Sequence, residues 1–112
     1  VTSAREVDRD DDVEAQAARL AGSVTVRLAG DLDLASAAAA WEAIDAAVTR
    51  GGRVVIDLAE VTFLDSSGLK VLVAARARAA ATGTSLALAR PSPATERVLD
   101  ITGLTDRFDI ER

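Results

Sequence analysis

Histidine and cysteine are both absent from the 112 residues. Without histidine there is no Ser-His-Asp triad and no imidazole metal ligand. Without cysteine there is no thiol nucleophile, zinc knuckle or disulfide. A cysteine-free chain suits the reducing cytoplasm, which is the expected location. Aromatic residues are scarce as well: Trp41, Phe63 and Phe108 are all there are. Nucleic-acid binders need such rings for stacking and usually show a basic stripe. Neither is present, so direct nucleic-acid contact is not expected. No apolar run approaches the ~20 residues that span a bilayer, so no membrane segment is expected.

What remains is aliphatic and mildly acidic. Apolar residues make up 49% of the chain, and 13 basic residues face 18 acidic ones, for a net charge of −5. Much of the apolar share is alanine, so the core must be built from Val, Leu, Ile and Ala by close helix packing. The charge is uneven. Residues 5–14 (REVDRDDDVE) hold two arginines and six acids, which leaves the rest nearly neutral. The length fits one small domain. The expected division is an acidic, solvated lead-in over residues 1–12 and one domain over residues 13–112.

The patterning predicts alternating strands and helices. Val13 to Ala17 alternates loosely and predicts a weak first strand. Val24, Val26 and Leu28 alternate with Thr25 and Arg27, as in a strand with one buried face. The turn at Ala21-Gly22-Ser23 makes these two an antiparallel hairpin. Ala37, Trp41, Ile44 and Val48 fall on one helical face, with Asp33 or Ser36 as the cap and Gly51-Gly52 at the end. Val54-Val55-Ile56-Asp57-Leu58 reads as a strand covered on both faces. A short linker follows, in which Val61, Phe63 and Leu64 are expected to be buried. A second helix runs from the Asp65-Ser66-Ser67-Gly68 segment to about Ala81, with Leu69, Leu72 and Val73 inward. Leu86 and Leu88 predict a strand. Ser92-Pro93 opens a third helix with Ala94, Val98 and Ile101 on its inner face. Phe108 and Ile110 predict a last edge strand. The order β-β-α-β-α-β-α-β predicts a small α/β domain with a mixed, mostly parallel sheet and helices packed on it.

One segment carries chemistry: Phe63-Leu64-Asp65-Ser66-Ser67-Gly68-Leu69. Asp65 or Ser66 serves as a helix N-cap. Gly68 weakens the first turn of that helix and therefore needs a reason. Close approach of another molecule to the Ser-Ser backbone supplies one. Self-contained serine catalysis is disfavoured. The segment is no G-x-S-x-G elbow, and Lys70, the single lysine, is expected to be solvent-facing and protonated. No phosphate-cradling glycine loop of the Walker or Rossmann type is present, which speaks against a nucleotide enzyme.

Four stretches resemble the STAS domain, the fold of sulfate transporters and anti-sigma factor antagonists. They are Val24–Asp33 ending in Gly30-Asp31-Leu32-Asp33, Val54–Leu58, Phe63–Leu69, and Leu99–Leu104. The resemblance spans roughly residues 13–111, and its nearest branch is the single-domain bacterial antagonists. It implies a phosphorylation switch without enzyme activity or cofactor of its own. Ser66 would be the phosphoacceptor. The partners would be an anti-sigma factor serine kinase of the histidine-kinase-like ATPase fold and a PP2C-type phosphatase. Asp33, Asp65, Ser67, Gly68 and Lys70 are the expected partner-binding residues. Lys70 replaces the small residue usual there, which leaves partner choice, phosphate contact or plain exposure as its role. The oligomeric expectation is a monomer or weak homodimer. The competing reading is a non-switching STAS module of a transporter, stressosome or lipid-transport assembly.

Overall fold

The computed structural model describes residues 13–20 and 22–112, so the acidic lead-in at 1–12 and Ala21 lie outside it. Strand β1 (Val13–Leu20) runs antiparallel to β2 (Ser23–Leu32), as the hairpin pattern predicts. Three further strands follow: β3 (Arg53–Leu64), β4 (Ser85–Ala89) and β5 (Asp109–Glu111). The sheet order is β1-β2-β3-β4-β5, and every pairing from β2 onward is parallel. Helices α1 (Ala37–Arg50), α2 (Ser66–Thr82) and α3 (Pro93–Thr102) make the crossovers. Sequence neighbours are sheet neighbours here, so right-handed crossovers bring all three helices to one face.

That face is the core. Val24 and Val26 of β2 lie in register beside Val54 and Ile56 of β3, with Leu88 of β4 beyond, and Leu28 and Leu58 extend the same buried cluster. Ile44 and Val48 of α1, Leu72 and Ala75 of α2, and Leu99 of α3 close over them. Each fully buried Leu or Ile contributes about 1.5–3 kcal/mol. The opposite face carries charged side chains beside small apolar ones such as Val55 and Ala87. Ion pairs Arg27–Glu60, Arg53–Glu111 and Arg90–Asp57 lie across it.

The helix boundaries follow the expected chemistry. Ser92 Oγ accepts from the Thr95 amide at 3.2 Å, and Pro93 opens α3. Gly83 and Gly103 end α2 and α3 in the left-handed conformation, at φ 72° and 73°. No helix among the described residues is long and apolar enough to cross a membrane.

Three expectations are overturned. Residues 59–64 are not a linker; they continue β3 to Leu64. Register shifts between β2 and β3 at Arg27/Ala29 and Gly30/Asp31 reset the alternation. Val61 and Leu64 then face inward, while Phe63 is 49% exposed. Val73 is not inward: Val71, Leu72, Ala75 and Ala79 form the buried stripe of α2. Ile101 is 77% exposed, because Thr95 and Leu99 set the buried stripe of α3 and Ile101 lies half a turn away from Leu99.

Candidate functional site

The carboxyl ends of β2 and β3 lie side by side, with Asp31 opposite Phe63 and Leu32 opposite Leu64. Each strand then feeds a helix, α1 from β2 and α2 from β3. This is the edge where open α/β sheets place their ligands. The Asp65 amide donates to the Leu32 carbonyl at 3.3 Å and ties the two turns together.

The β2–α1 turn is held from inside. Ser36 is fully buried; its hydroxyl donates to the Asp31 carbonyl at 2.8 Å and accepts from the Asp33 amide at 3.0 Å. Asp33 Oδ1 accepts from the amides of Ala35 and Ser36 at 3.1 and 3.2 Å. Of the two alternatives for this cap, Ser36 takes the N-cap position, but the side chain that satisfies the Ala35 and Ser36 amides at the helix start is Asp33. Asp31 Oδ1 accepts from Thr62 Oγ1 at 2.9 Å.

The β3–α2 turn carries the serines. Asp65 is the N-cap of α2, and its Oδ1 accepts from the amides of Ser67 and Gly68 at 2.8 and 3.1 Å. Ser66 is the first helical residue and is exposed. Its hydroxyl makes no hydrogen bond among the described residues. Free amides at a helix start are ready anion donors; in the structure Asp65 already holds two of those of α2. Negative charge added at Ser66 therefore meets a carboxylate on the preceding residue, and two of the nearby amides are already taken.

Gly68 serves a different purpose from the one expected. It is buried, and a Cβ there would stand 2.3 Å from the Leu32 carbonyl oxygen. The close approach is made by the chain's own strand, not by another molecule. Ser67 is half-buried, and Lys70 is exposed one turn beyond Ser66. Lys70 makes no ion pair among the described residues. Asp33, Asp65, Ser66, Ser67 and Gly68 thus meet at one edge, with Lys70 adjoining on α2.

Two features escaped the sequence reading. The first is a groove of about 370 Å³ between α1 and α2, beside Ser67 and Lys70. The second is the Arg90–Asp57 pair at 2.6 Å on the sheet face opposite the helices. Burial pushes the Asp57 carboxyl up. The Arg90 hydrogen bond, the Ala59 amide and the charges of Arg90 and Arg27 outweigh that and hold it below its ordinary value. The hydrogen bond to Asp57 raises Arg90 in turn. Arg90 adopts φ 50°, a left-handed backbone uncommon outside glycine. An aspartate inside the apolar run Val54–Leu58 was the available signal, since a buried carboxylate requires a partner.

The comparisons agree with this geometry. The family model described as "Mlab, STAS domain" matches residues 15–110. Anti-sigma-F factor antagonist RsfB of Mycobacterium tuberculosis is 36% identical over 88 residues, covering 78% of this chain and 71% of that protein. The crystal structure of an anti-sigma factor antagonist from Mycobacterium paratuberculosis superposes with a TM-score of 0.82. It is 31% identical and covers 94% of this chain and 90% of that one. The antagonist SpoIIAA in its unphosphorylated form reaches a TM-score of 0.71 at 23% identity, covering 88% of each chain, and there the likeness is one of fold. By sequence, architecture and the family model together, the chain belongs to the STAS domain family, among its anti-sigma factor antagonists.

Proposed function

We propose that this protein is a partner-switching anti-sigma factor antagonist whose switch is Ser66. In the unphosphorylated form it binds an anti-sigma factor kinase of the histidine-kinase-like ATPase fold, which frees the sigma factor for transcription. The kinase moves the γ-phosphoryl group of ATP to Ser66 Oγ, the hydroxyl proton leaves and ADP is released. The phosphorylated chain then dissociates, and a PP2C-type phosphatase resets it. All of this takes place in the cytoplasm.

The observation that carries this reading is the state of Ser66. Its hydroxyl is exposed and unbonded on the first residue of a capped helix, while Asp65 occupies the neighbouring amides. The hydroxyl is presented rather than used. A phosphate adds about −1.5 to −2 charge. Asp31, Asp33 and Asp65 belong to the same edge, so the addition deepens an acidic surface without requiring a new fold. Like-charge contact with an acidic partner surface costs several kcal/mol.

The test is phosphotransfer. The protein is incubated with ATP and candidate anti-sigma kinases from its own genome, and phosphate is mapped by mass spectrometry. Transfer to Ser66, abolished in Ser66→Ala, is expected. Ser66→Ala should retain anti-sigma binding and Ser66→Asp should weaken it; equal binding by both would sink the electrostatic account. The family model's description supports a second reading, a STAS interaction module without phosphotransfer. Absence of transfer by every candidate kinase would favour it.

A further inference from the structure

Helices α1 and α2 are both crossovers of a parallel sheet, and they run side by side in the same direction. At their carboxyl-terminal halves Arg78 Nε on α2 donates to Asp45 Oδ1 on α1 at 2.8 Å. At their amino-terminal halves no such staple closes them. Ala37, Ala38 and Ala74 face the gap, and none has a side chain long enough to fill it. The result is the 370 Å³ groove, with Val71 beneath it and Leu34 and Trp41 along it. Leu34 is 78% exposed, a large apolar side chain left in water at the mouth. Lys70 is the one charged side chain lining the groove, and among the described residues it has no ion pair.

We propose that this groove is the partner-selecting subsite of the antagonist: it takes a large apolar side chain of the anti-sigma factor, flanked by a carboxylate that pairs with Lys70. The proposal rests on the function proposed above and names what the partner must carry. The apolar lining fits an apolar side chain, and burying Leu34 and Trp41 on contact supplies the driving force. A lone ammonium at the rim selects an acidic neighbour. A second copy of this chain is the poorer occupant, because it would bring Asp31, Asp33 and Asp65 toward their own duplicates.

The groove is also coupled to the switch. Lys70 follows Ser66 by four residues, so the two lie on one helix face, a turn apart. A phosphate on Ser66, denied two helix amides by Asp65, finds Lys70 as the nearest cation on its own helix. Phosphorylation then removes from the partner the charge that selects it.

The test is a titration of the full chain with the anti-sigma factor identified by phosphotransfer, followed by calorimetry. Lys70→Glu is expected to weaken binding by about 30-fold or more, and Lys70→Ala to reduce its salt dependence. Ala38→Trp fills the groove from an exposed position on α1 and is expected to weaken binding at least tenfold, with the thermal midpoint unchanged. Binding left unchanged by Lys70→Glu, or by Ala38→Trp, would overturn the groove proposal and leave the antagonist reading intact. Failure of the wild type to bind any anti-sigma factor would overturn both. Self-association abolished by Ala38→Trp would also overturn it, by making a second copy the occupant.

Discussion

Gly68→Ala separates two explanations of one glycine. Were Gly68 open to a partner, adding a methyl group would stabilise the helix by about 1 kcal/mol, the usual advantage of alanine over glycine. The structure predicts the opposite sign. The new Cβ would lie 2.3 Å from the Leu32 carbonyl oxygen, 2.9 Å from Leu32 Cγ and 3.0 Å from Leu64 Cδ1. Relief requires the start of α2 to withdraw from β2 by roughly 1 Å, given ordinary contact distances. Overpacking of this kind costs about 1–3 kcal/mol. The withdrawal also stretches the 3.3 Å hydrogen bond from the Asp65 amide to the Leu32 carbonyl, worth ~1 kcal/mol. Against the gain in helix propensity, the net expectation is a loss of about 1–3 kcal/mol. For a domain of this size that lowers the thermal midpoint by roughly 4–8 °C per kcal/mol. Urea unfolding followed by Trp41 fluorescence, the single tryptophan, measures it directly. Adding Leu32→Ala should not rescue the variant, because the nearest atom is backbone. A Gly68→Ala protein as stable as the wild type, or more so, would refute the packing argument.

The Asp57–Arg90 pair predicts a particular acid limb of stability. The folded state holds Asp57 below its ordinary value of 3.8, so the unfolded state takes up the proton first as pH falls. The stabilisation is therefore fully present above the ordinary value and disappears as pH drops through the lower folded one. Asp57→Asn should be flatter over that window than the wild type, and chemical denaturation across pH checks it; parallel curves would contradict the assignment. The two faces of α3 give a paired prediction. Leu99→Ala, at a position 1% exposed, should cost about 2–5 kcal/mol. Ile101→Ala should stay within about 0.5 kcal/mol of wild type by the same unfolding assay.

Where the sequence was a reliable guide, one local rule decided the outcome. Period-two alternation placed Val24, Val26 and Leu28 on the buried face of β2. Ser92-Pro93 and Gly103 marked both ends of α3 because each sits where its own backbone chemistry requires it. The failures arose where a distant element intervened. Phe63 follows an apolar run, but the register shifts against β2, 31 and more residues away in sequence, turned it outward. Ile101 is apolar on a helix whose inward face is set by packing against β3, and Thr95 took an inward place instead. Gly68 signalled a close approach, but only the neighbouring strand shows what approaches. The polar residues of the edge were legible as a group, because Gly30–Asp33 and Leu64–Gly68 each mark a strand-to-helix turn. The groove beside them was not, since Ala37, Ala38 and Ala74 reveal a cavity only when two helices stand next to each other.

The absences in this chain and the geometry of its acidic edge point the same way. A chain without histidine or cysteine has few ways to activate a nucleophile, and the function proposed above has Ser66 acted upon from outside. What the fold can provide is presentation. Ser36, buried and hydrogen-bonded to the Asp31 carbonyl, fixes one turn; Asp65, capping α2 and bonded to the Leu32 carbonyl, fixes the other. Neither anchor uses the Ser66 hydroxyl, so esterifying it breaks no hydrogen bond among the described residues. The cost of phosphorylation then falls on whatever lies against that edge rather than on the fold beneath it. On a chain of net charge −5, an addition of about −1.5 to −2 is a large fractional change delivered at one point. In the proposed switch, a binding surface is thus cancelled by a single group transfer while the domain that displays it stays folded and ready to be reset.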